Sequence, residues 1–187
     1  MQFKFELNRI IELDEVTSTQ DIAKELAQTL EEGNVLVQAK SQTNGRGRFE
    51  RGWDAQAGGL YISLILRPDR QVKNTAALSV KTGMAVAKTL RELYGVKTKI
   101  KLPNDVLALQ NGVYKKIAGV LIETSLQQES LNWLALGIGV NLNNKVCAQI
   151  KAASVKQIIK READITEFRD ALLRNFAGFY LQWGRGV

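Results

Sequence analysis

The sequence predicts an α+β protein: a mixed, largely antiparallel sheet with helices packed on it. Three observations carry that expectation. A helical apolar period follows a short alternating segment near the N-terminus. Apolar and alternating runs then succeed one another from Val96 to Leu142 with no helix between them, and helical periodicity takes over to the C-terminus. Strands and helices segregated in this way favour α+β over an alternating βαβ chain. At 187 residues the chain suits one domain, residues 1–187, whose core needs no disulfide or metal staple.

Taken in order, Phe3, Phe5 and Leu7 alternate with polar residues like a short edge strand. Thr17, Ser18 or Thr19 caps a helix whose apolar face is Ile22, Ala23, Leu26, Ala27 and Leu30, and Gly33 ends it. Val35 to Ala39 reads as a strand. A loop from Lys40 to about Gly58, punctuated by Gly45, Gly47, Gly52 and Gly58, leads to the apolar strand Leu60–Leu66, stopped by Pro68. A long helix over about Thr75–Tyr94 presents Ala76, Val80, Gly83, Ala87, Leu90 and Tyr94 along one face. Strands follow at VKTKIK, DVLALQ, KKIAGVLIET and LNWLALGIGVNL, with Asn111-Gly112 as the hairpin turn between the second and third. Phe168, Leu172, Phe176, Phe179 and Trp183 form the stripe of a terminal amphipathic helix.

Composition excludes whole mechanisms. There is no histidine, which removes Ser/His/Asp and Cys/His nucleophiles, histidine acid–base catalysis and His-containing zinc sites. Cys147 is the single cysteine, so no intrachain disulfide or CxxC chemistry is available, as suits a reducing cytosol. The N-terminus lacks the apolar run of a signal peptide, and charges interrupt every stretch long enough to span a membrane, so a cytoplasmic protein is expected. Twenty-six Lys and Arg against 19 Asp and Glu give a formal charge of +7. That balance admits nucleic acid, an acidic protein or a phosphate-bearing ligand without choosing among them.

Chemistry concentrates in a few segments. In Gln42-Thr43-Asn44-Gly45-Arg46-Gly47-Arg48-Phe49-Glu50-Arg51-Gly52-Trp53, glycines alternate with arginines directly after a strand. Glycine admits close backbone approach, arginine donates charge-assisted bonds to phosphate or carboxylate, and Trp53 offers a flat face for a purine. The same residues equally describe a solvated basic loop or an RGG-like element that binds RNA. A Walker A loop is absent, and Gly137-Ile138-Gly139 lacks the third glycine of a dinucleotide fingerprint.

A second segment, Lys101-Leu102-Pro103-Asn104-Asp105, places a lysine at the end of one strand and Asn-Asp at the start of the next, and reads by itself as turn chemistry. Lys116 enters the apolar run Ile117–Ile122, a costly place for a lysine unless it snorkels or meets an anion. Gly119 beside it suggests that something approaches the backbone there. Asn141 closes an apolar strand with an amide that either caps a turn or reads a purine edge.

In this order, Ser18-Thr19-Gln20, Gln42, Gly45-Arg46-Gly47-Arg48, Trp53, Lys101-x-Pro-Asn-Asp105, Lys116-Ile-Ala-Gly119 and Gly137-Ile-Gly-Val-Asn141 resemble the catalytic domain of biotin protein ligases. The resemblance runs from about residue 14 to 143 and continues loosely through the last helix. It implies the biotin/lipoate ligase catalytic fold, related to class II aminoacyl-tRNA synthetases. It also implies a ligase that makes biotinyl-5′-adenylate from biotin and MgATP and then transfers biotin to one lysine of a biotin carboxyl carrier protein, such as an acetyl-CoA carboxylase subunit. Ser18, Thr19, Gln42, Gly45, Arg46 and Gly119 would then hold biotin. Arg48, Arg51, Trp53, Asn104, Lys116 and Asn141 would hold ATP. Lys116, Arg48, Asp105 and Lys101 would act at the reacting centre, with Asp105 near the metal. Magnesium would come with the nucleotide, with no tightly bound metal.

Three departures from the family pattern stand out. Leu102 replaces the usual tryptophan before Pro103, and Phe49 and Glu50 replace basic residues after Arg48. Too few residues precede Ser18 for the N-terminal winged helix of ligases that double as repressors, so no DNA binding is expected. The chain stops at Trp183-Gly-Arg-Gly-Val187, where many relatives continue into a small SH3-like domain, expected here to be absent or truncated. Family habit alone suggests a homodimer through a sheet edge. A lipoate or octanoate ligase or transferase of the same fold is the nearest alternative, and an RNA-binding module using the basic loop is the alternative from another class.

Overall fold

The structure is a computed structural model describing residues 5–30, 33–68, 74–127, 130–146 and 151–184; Phe3 and Cys147 lie outside these. Seven strands form one sheet in the order β1-β2-β3-β7-β6-β5-β4: β1 Arg9–Val16, β2 Val35–Gln42, β3 Leu60–Leu66, β4 Thr98–Lys101, β5 Asp105–Gln110, β6 Val113–Gln127 and β7 Ser130–Val140. Only β1 and β2 run parallel. Every other neighbouring pair is antiparallel, so the sheet is the mixed, largely antiparallel one expected. The helices are α1 Thr19–Thr29, α2 Thr75–Tyr94, α3 Val155–Ile159 and α4 Ile165–Gly184.

The two faces of the sheet have different coverings. Leu60, Ile62, Leu64 and Leu66 of β3 enter a large core with Leu78, Val86 and Leu90 of α2 and Phe168, Leu172 and Phe176 of α4. On the opposite face Ala23 and Ala27 of α1 pack with Val35, Val37, Ile65, Trp133 and Ala135. All seven residues of β3 are buried because both its faces are covered. No helix among the described residues is long and apolar enough to cross a membrane.

Local chemistry sets the ends of these elements. Ser18 Oγ accepts from Gln20 N (3.3 Å) at the start of α1, and Asn74 Oδ1 accepts from Ala77 N (2.9 Å) at the start of α2; such caps are worth about 1 kcal/mol. Gly95 ends α2 at φ 66°, with its N–H and that of Val96 returning to Arg91 and Leu90 carbonyls. Asn111 and Gly112 both take positive φ, 49° and 79°, as a two-residue hairpin turn requires.

Several expectations need correction. Phe5 and Leu7 do not form a strand; Phe5 packs its ring 5.3 Å from Phe176. The edge strand is instead Arg9–Val16, whose inward Ile11 and Leu13 reach the smaller core while charged residues alternate outward. The first helix stops at Thr29, with Leu30 N closing onto Leu26 O, before Gly33 is reached. In α2 the buried face runs through Leu78, Thr82, Ala85, Val86, Thr89 and Leu90 rather than Ala76, Val80 and Ala87, because this helix is wedged between the sheet and α4. In α4 Phe168, Phe176 and Trp183 are buried as expected, but Phe179 is only half-buried and Tyr180, one residue on, takes the buried position.

Candidate active site

The site opens on the α1 face of the sheet, and side-chain size along β7 explains why it is open. Strand alternation puts Trp133, Ala135, Gly137 and Gly139 on this face, while Leu134, Leu136, Ile138 and Val140 go to the large core. The row tapers from tryptophan to bare backbone. A Cβ at Gly137 would stand 2.7 Å from Gln20 Oε1, and one at Gly139 2.7 Å from the Trp53 ring. Beside them Gly119 of β6 leaves room for the same indole, 3.1 Å from where its Cβ would be. The result is a cleft of about 330 Å³.

One end of the cleft is uncharged. Thr19 donates from its backbone N (2.7 Å) and from Oγ1 (3.0 Å) to Gln42 Oε1, and its Oγ1 lies 3.0 Å from Ser63 Oγ. Ser63 donates to Gln20 Oε1 (2.9 Å), and Gln20 Nε2 donates to the Ala135 carbonyl (3.0 Å). Ser18, Thr19, Gln20 and Ser63 are buried, so this network is a fixed array of amide and hydroxyl groups rather than a flexible surface. The array holds Gln42 by its oxygen, and no described residue accepts from its Nε2.

The other end is cationic. Arg48, Arg51, Lys101 and Lys116 line it together with Asn104 and Asp105. Lys116 reaches this face through a bulge. Val106 pairs with Ala118 but Leu107 with Lys116, leaving Ile117 as the extra residue. Without it Lys116 would share a face with Ala118 and Val120, which are in the core. The bulge frees backbone groups that bond elsewhere: Lys116 N to Lys151 O (2.8 Å), Ala153 N to Lys116 O (2.9 Å) and Asn141 N to Ile117 O (2.8 Å). Lys116 Nζ lies 2.7 Å from Asp105 Oδ1 and 5.1 Å from the Trp53 ring centroid. Asn104 Nδ2 donates to Val120 O (3.0 Å), which fixes the turn after Pro103 against β6.

The glycine–arginine loop is folded back on itself. Trp53 N donates to Gly45 O (2.8 Å), Gly47 N to Arg51 O (2.7 Å) and Gln42 N to Ala55 O (3.0 Å). Gly45 is required by close approach, since a Cβ would stand 2.5 Å from the Trp53 carbonyl. Phe49 sits in the left-handed region at φ 57°, 78% exposed, with the Arg48 guanidinium 4.8 Å from its ring centroid.

The structure brings together almost every residue expected from sequence, with two corrections. The Arg46 side chain turns away from the cationic end to Asp21 (2.6 Å) and Glu123 (3.1 Å), which Lys24 also joins at 3.1 Å; two carboxylates within reach outcompete an anion-binding role. Asn141 lies outside the main cleft, in a smaller adjoining cavity of about 130 Å³ reached past Trp53 and Lys116. Residues not singled out as site members also belong. Ser63 was detectable as the lone hydroxyl in an otherwise apolar strand, and Gln20 as a polar residue on the apolar side of a helix start. Gly137 and Gly139 gave a signal of the wrong kind, as a broken fingerprint rather than a floor. Among the described residues no three acidic or cysteine side chains gather as a metal cage. Among the described residues the cleft has one carboxylate, Asp105, which suits a divalent cation carried by a triphosphate.

Known proteins resemble this chain in sequence and in fold. The chain is 41% identical over 133 residues to the "Bifunctional ligase/repressor BirA" of Bacillus subtilis, covering 71% of this chain and 40% of that one. It is 35% identical over 158 residues to the "Biotin--[acetyl-CoA-carboxylase] ligase" of Paracoccus denitrificans, covering 80% and 64%. It thus spans well under two thirds of the length of the first of these relatives. The solved biotin protein ligase from Aquifex aeolicus in complex with biotin and ATP superposes with a TM-score of 0.78 at 32% identity, over 94% of this chain and 71% of that one. The model of the biotin/lipoate A/B protein ligase family matches residues 12–141, the stretch from the middle of β1 through β7 with both ends of the cleft, and the chain belongs to that family.

Proposed function

We propose that the chain is an ATP-dependent biotin–protein ligase, which forms biotinyl-5′-adenylate and transfers biotin to a lysine of a carboxyl carrier protein. The observation that carries this reading is the polarity of the cleft: a largely buried amide–hydroxyl array at one end and an excess of cations, Arg48, Arg51, Lys101 and Lys116 against Asp105, at the other. A ureido ring offers N–H donors and a carbonyl acceptor to such an array, and the carboxylate of its side chain extends toward cations. The apolar ring of lipoate or the alkyl chain of octanoate would cover the Gln42 Nε2 donor, which no described residue accepts from, with nothing polar, which is costly. The relatives named above as biotin ligases point the same way.

In the first step a biotin carboxylate oxygen attacks the α-phosphorus of ATP. An O–P bond forms, the bond to the β-phosphate oxygen breaks, and pyrophosphate leaves. The nucleophile is already anionic, so no base is needed and the protein's work is positioning and charge stabilisation. Ser18, Thr19, Gln42 and the backbone at Gly45, Arg46 and Gly119 hold and orient biotin. Lys116 and Arg48 stabilise charge that grows between carboxylate and phosphate, with Lys101, Arg51 and Asn104 toward the triphosphate. Trp53 and Asn141 face the base. Magnesium bound with ATP supplies further neutralisation of phosphate charge, and Asp105 is the residue that would hold it. In the second step the amine of the carrier lysine attacks the acyl carbon, the amide C–N bond forms, AMP departs and the amine proton goes to solvent.

ATP–pyrophosphate exchange measured with biotin, lipoate and octanoate tests the reading. Exchange dependent on biotin supports it. Exchange seen only with lipoate or octanoate replaces it with the alternative ligase, and salt-sensitive RNA binding without any exchange replaces it with a binding module.

A further inference from the structure

The large apolar side chains that stand exposed among the described residues are Ile10, Phe49, Met84, Leu102 and Val113. Ile10, Met84 and Val113 lie apart, on β1, on α2 and at the start of β6, and single exposures of that kind need no explanation. Phe49 and Leu102 differ, since both line the main cleft while remaining 78% and 70% exposed. They come from its two walls, Phe49 from the glycine–arginine loop and Leu102 from the turn between β4 and β5. Arg48 spans the gap: its guanidinium lies 4.8 Å from the Phe49 ring centroid, and its Nη1 lies 3.5 Å from Asn104 Oδ1. Phe49 holds its place at φ 57°, a left-handed conformation that a bulky residue rarely takes.

In the reaction proposed above biotin takes the uncharged end and the triphosphate the cationic end, and neither covers an apolar rim that faces water. The second substrate is a protein, whose lysine has to pass this mouth to reach the acyl carbon. Apolar anchors flanked by Arg48, Arg51 and Lys101 are the mixture that an interface core and its rim need. We infer that Phe49 and Leu102 form the docking surface for the carrier domain, which fits it by presenting an apolar side chain next to its acceptor lysine, with carboxylates around them. Burial of the two side chains supplies contact, the cations attract the carboxylates, and both effects act only in transfer. The inference rests on the ligase reading for the class of partner. Both positions depart from the family pattern, so the fit is particular to this chain's acceptor.

Two acceptors for the same biotinyl-adenylate separate docking from chemistry. A biotin carboxyl carrier domain has to dock. Hydroxylamine does not: its nitrogen attacks the acyl carbon, the hydroxamate forms, AMP leaves and a proton goes to solvent. Phe49→Asn, which keeps a residue tolerant of positive φ, and Leu102→Gln should each leave biotin-dependent pyrophosphate exchange and hydroxamate formation within about twofold of wild type. Each should lower kcat/KM for the carrier domain roughly tenfold, the scale of losing one interface anchor. Changing apolar neighbours of the acceptor lysine to Ser should cost the wild-type chain a similar factor, to which the rim variants then add little. Added salt should lower kcat/KM for the carrier and leave hydroxamate formation from preformed adenylate unchanged.

An unchanged kcat/KM for the carrier in both variants overturns the inference. So does an equal loss with carrier and hydroxylamine, which would put the two residues in the chemistry, and indifference to salt removes the carboxylates from it. Should a variant not fold, the altered carrier with the wild-type chain decides: no loss there overturns the inference. Sedimentation showing that either variant splits a dimer assigns the rim to a second copy and overturns it too. A wild-type chain without biotin-dependent exchange overturns the ligase reading and this partner with it, whereas exchange that persists while carrier kinetics ignore the rim overturns the inference alone.

Discussion

Lys116 Nζ is held 2.7 Å from Asp105 Oδ1, across a strand pair whose register is shifted by one residue between them. The bulge at Ile117 delivers this lysine to the cleft, and the carboxylate satisfies its charge until a more strongly anionic ligand competes. Replacing Lys116 with Ala should therefore lower biotin-dependent pyrophosphate exchange by roughly 10²–10³-fold, the effect of losing one preorganised charge-stabilising donor. Biotin binding should persist, because the uncharged array lies at the other end. Near-normal exchange in Lys116→Ala would remove it from the reacting centre.

Gly137 and Gly139 stand two residues apart on one face of β7 yet guard different ligands. A methyl at 137 meets Gln20 Oε1, and one at 139 meets the Trp53 ring. Gly137→Ala should weaken biotin binding with a smaller change for ATP, and Gly139→Ala should do the reverse. Each carries an overpacking cost of roughly 1–3 kcal/mol. Measuring both KM values and the urea midpoint of each variant checks this. If both variants raise the same KM, the two ends of the cleft are not separately built.

How much of this was legible beforehand depended on whether the signal was periodic or relational. The limits of β3 and α2, the Asn111-Gly112 turn and the α+β class follow from period, capping and turn chemistry. Most of the residues singled out also line one cleft, because motif order reports what the folded chain brings together. The bulge at Ile117, however, is a property of three segments at once. Lys116 exchanges hydrogen bonds with Lys151 and Ala153 while Asn141 N donates to Ile117 O, and no local pattern announces that. The ion pairs of the Arg46 side chain were hidden for a similar reason, since its partners Asp21 and Glu123 come from α1 and β6.

Because Arg46 is bound by those two carboxylates, it should behave as a tie between loop, helix and sheet. Arg46→Ala and Glu123→Gln should each destabilise the fold, and the double variant should cost about 1 kcal/mol less than their sum, since each removes the same partly exposed bond. Arg48→Ala should instead leave the unfolding free energy in urea within about 0.5 kcal/mol of wild type, as a surface substitution does, and depress exchange. Strict additivity of Arg46→Ala and Glu123→Gln would show that the ion pair is not a stabilising unit.

Tyr61 makes stability sensitive to alkaline pH. Its ring is 1% exposed beneath the cleft and its hydroxyl donates to Gln56 O (2.7 Å). Burial pushes the phenol well above its ordinary pKa near 10, and the negative charge of Asp54 adds to the effect. The folded chain thus keeps this proton at a pH where the unfolded chain has released it. The stabilisation is complete below about pH 10 and is lost as pH rises above it, at no more than about 1.4 kcal/mol per pH unit. Tyr94 is also raised by burial and contributes a smaller share. Urea unfolding from pH 8 to 11 should therefore show wild type losing stability faster than Tyr61→Phe above pH 10. The variant starts lower at neutral pH by about 1 kcal/mol for the lost hydrogen bond. Parallel curves across that range would mean that the phenol is not protected from ionisation, and hence that the floor of the cleft is open to water.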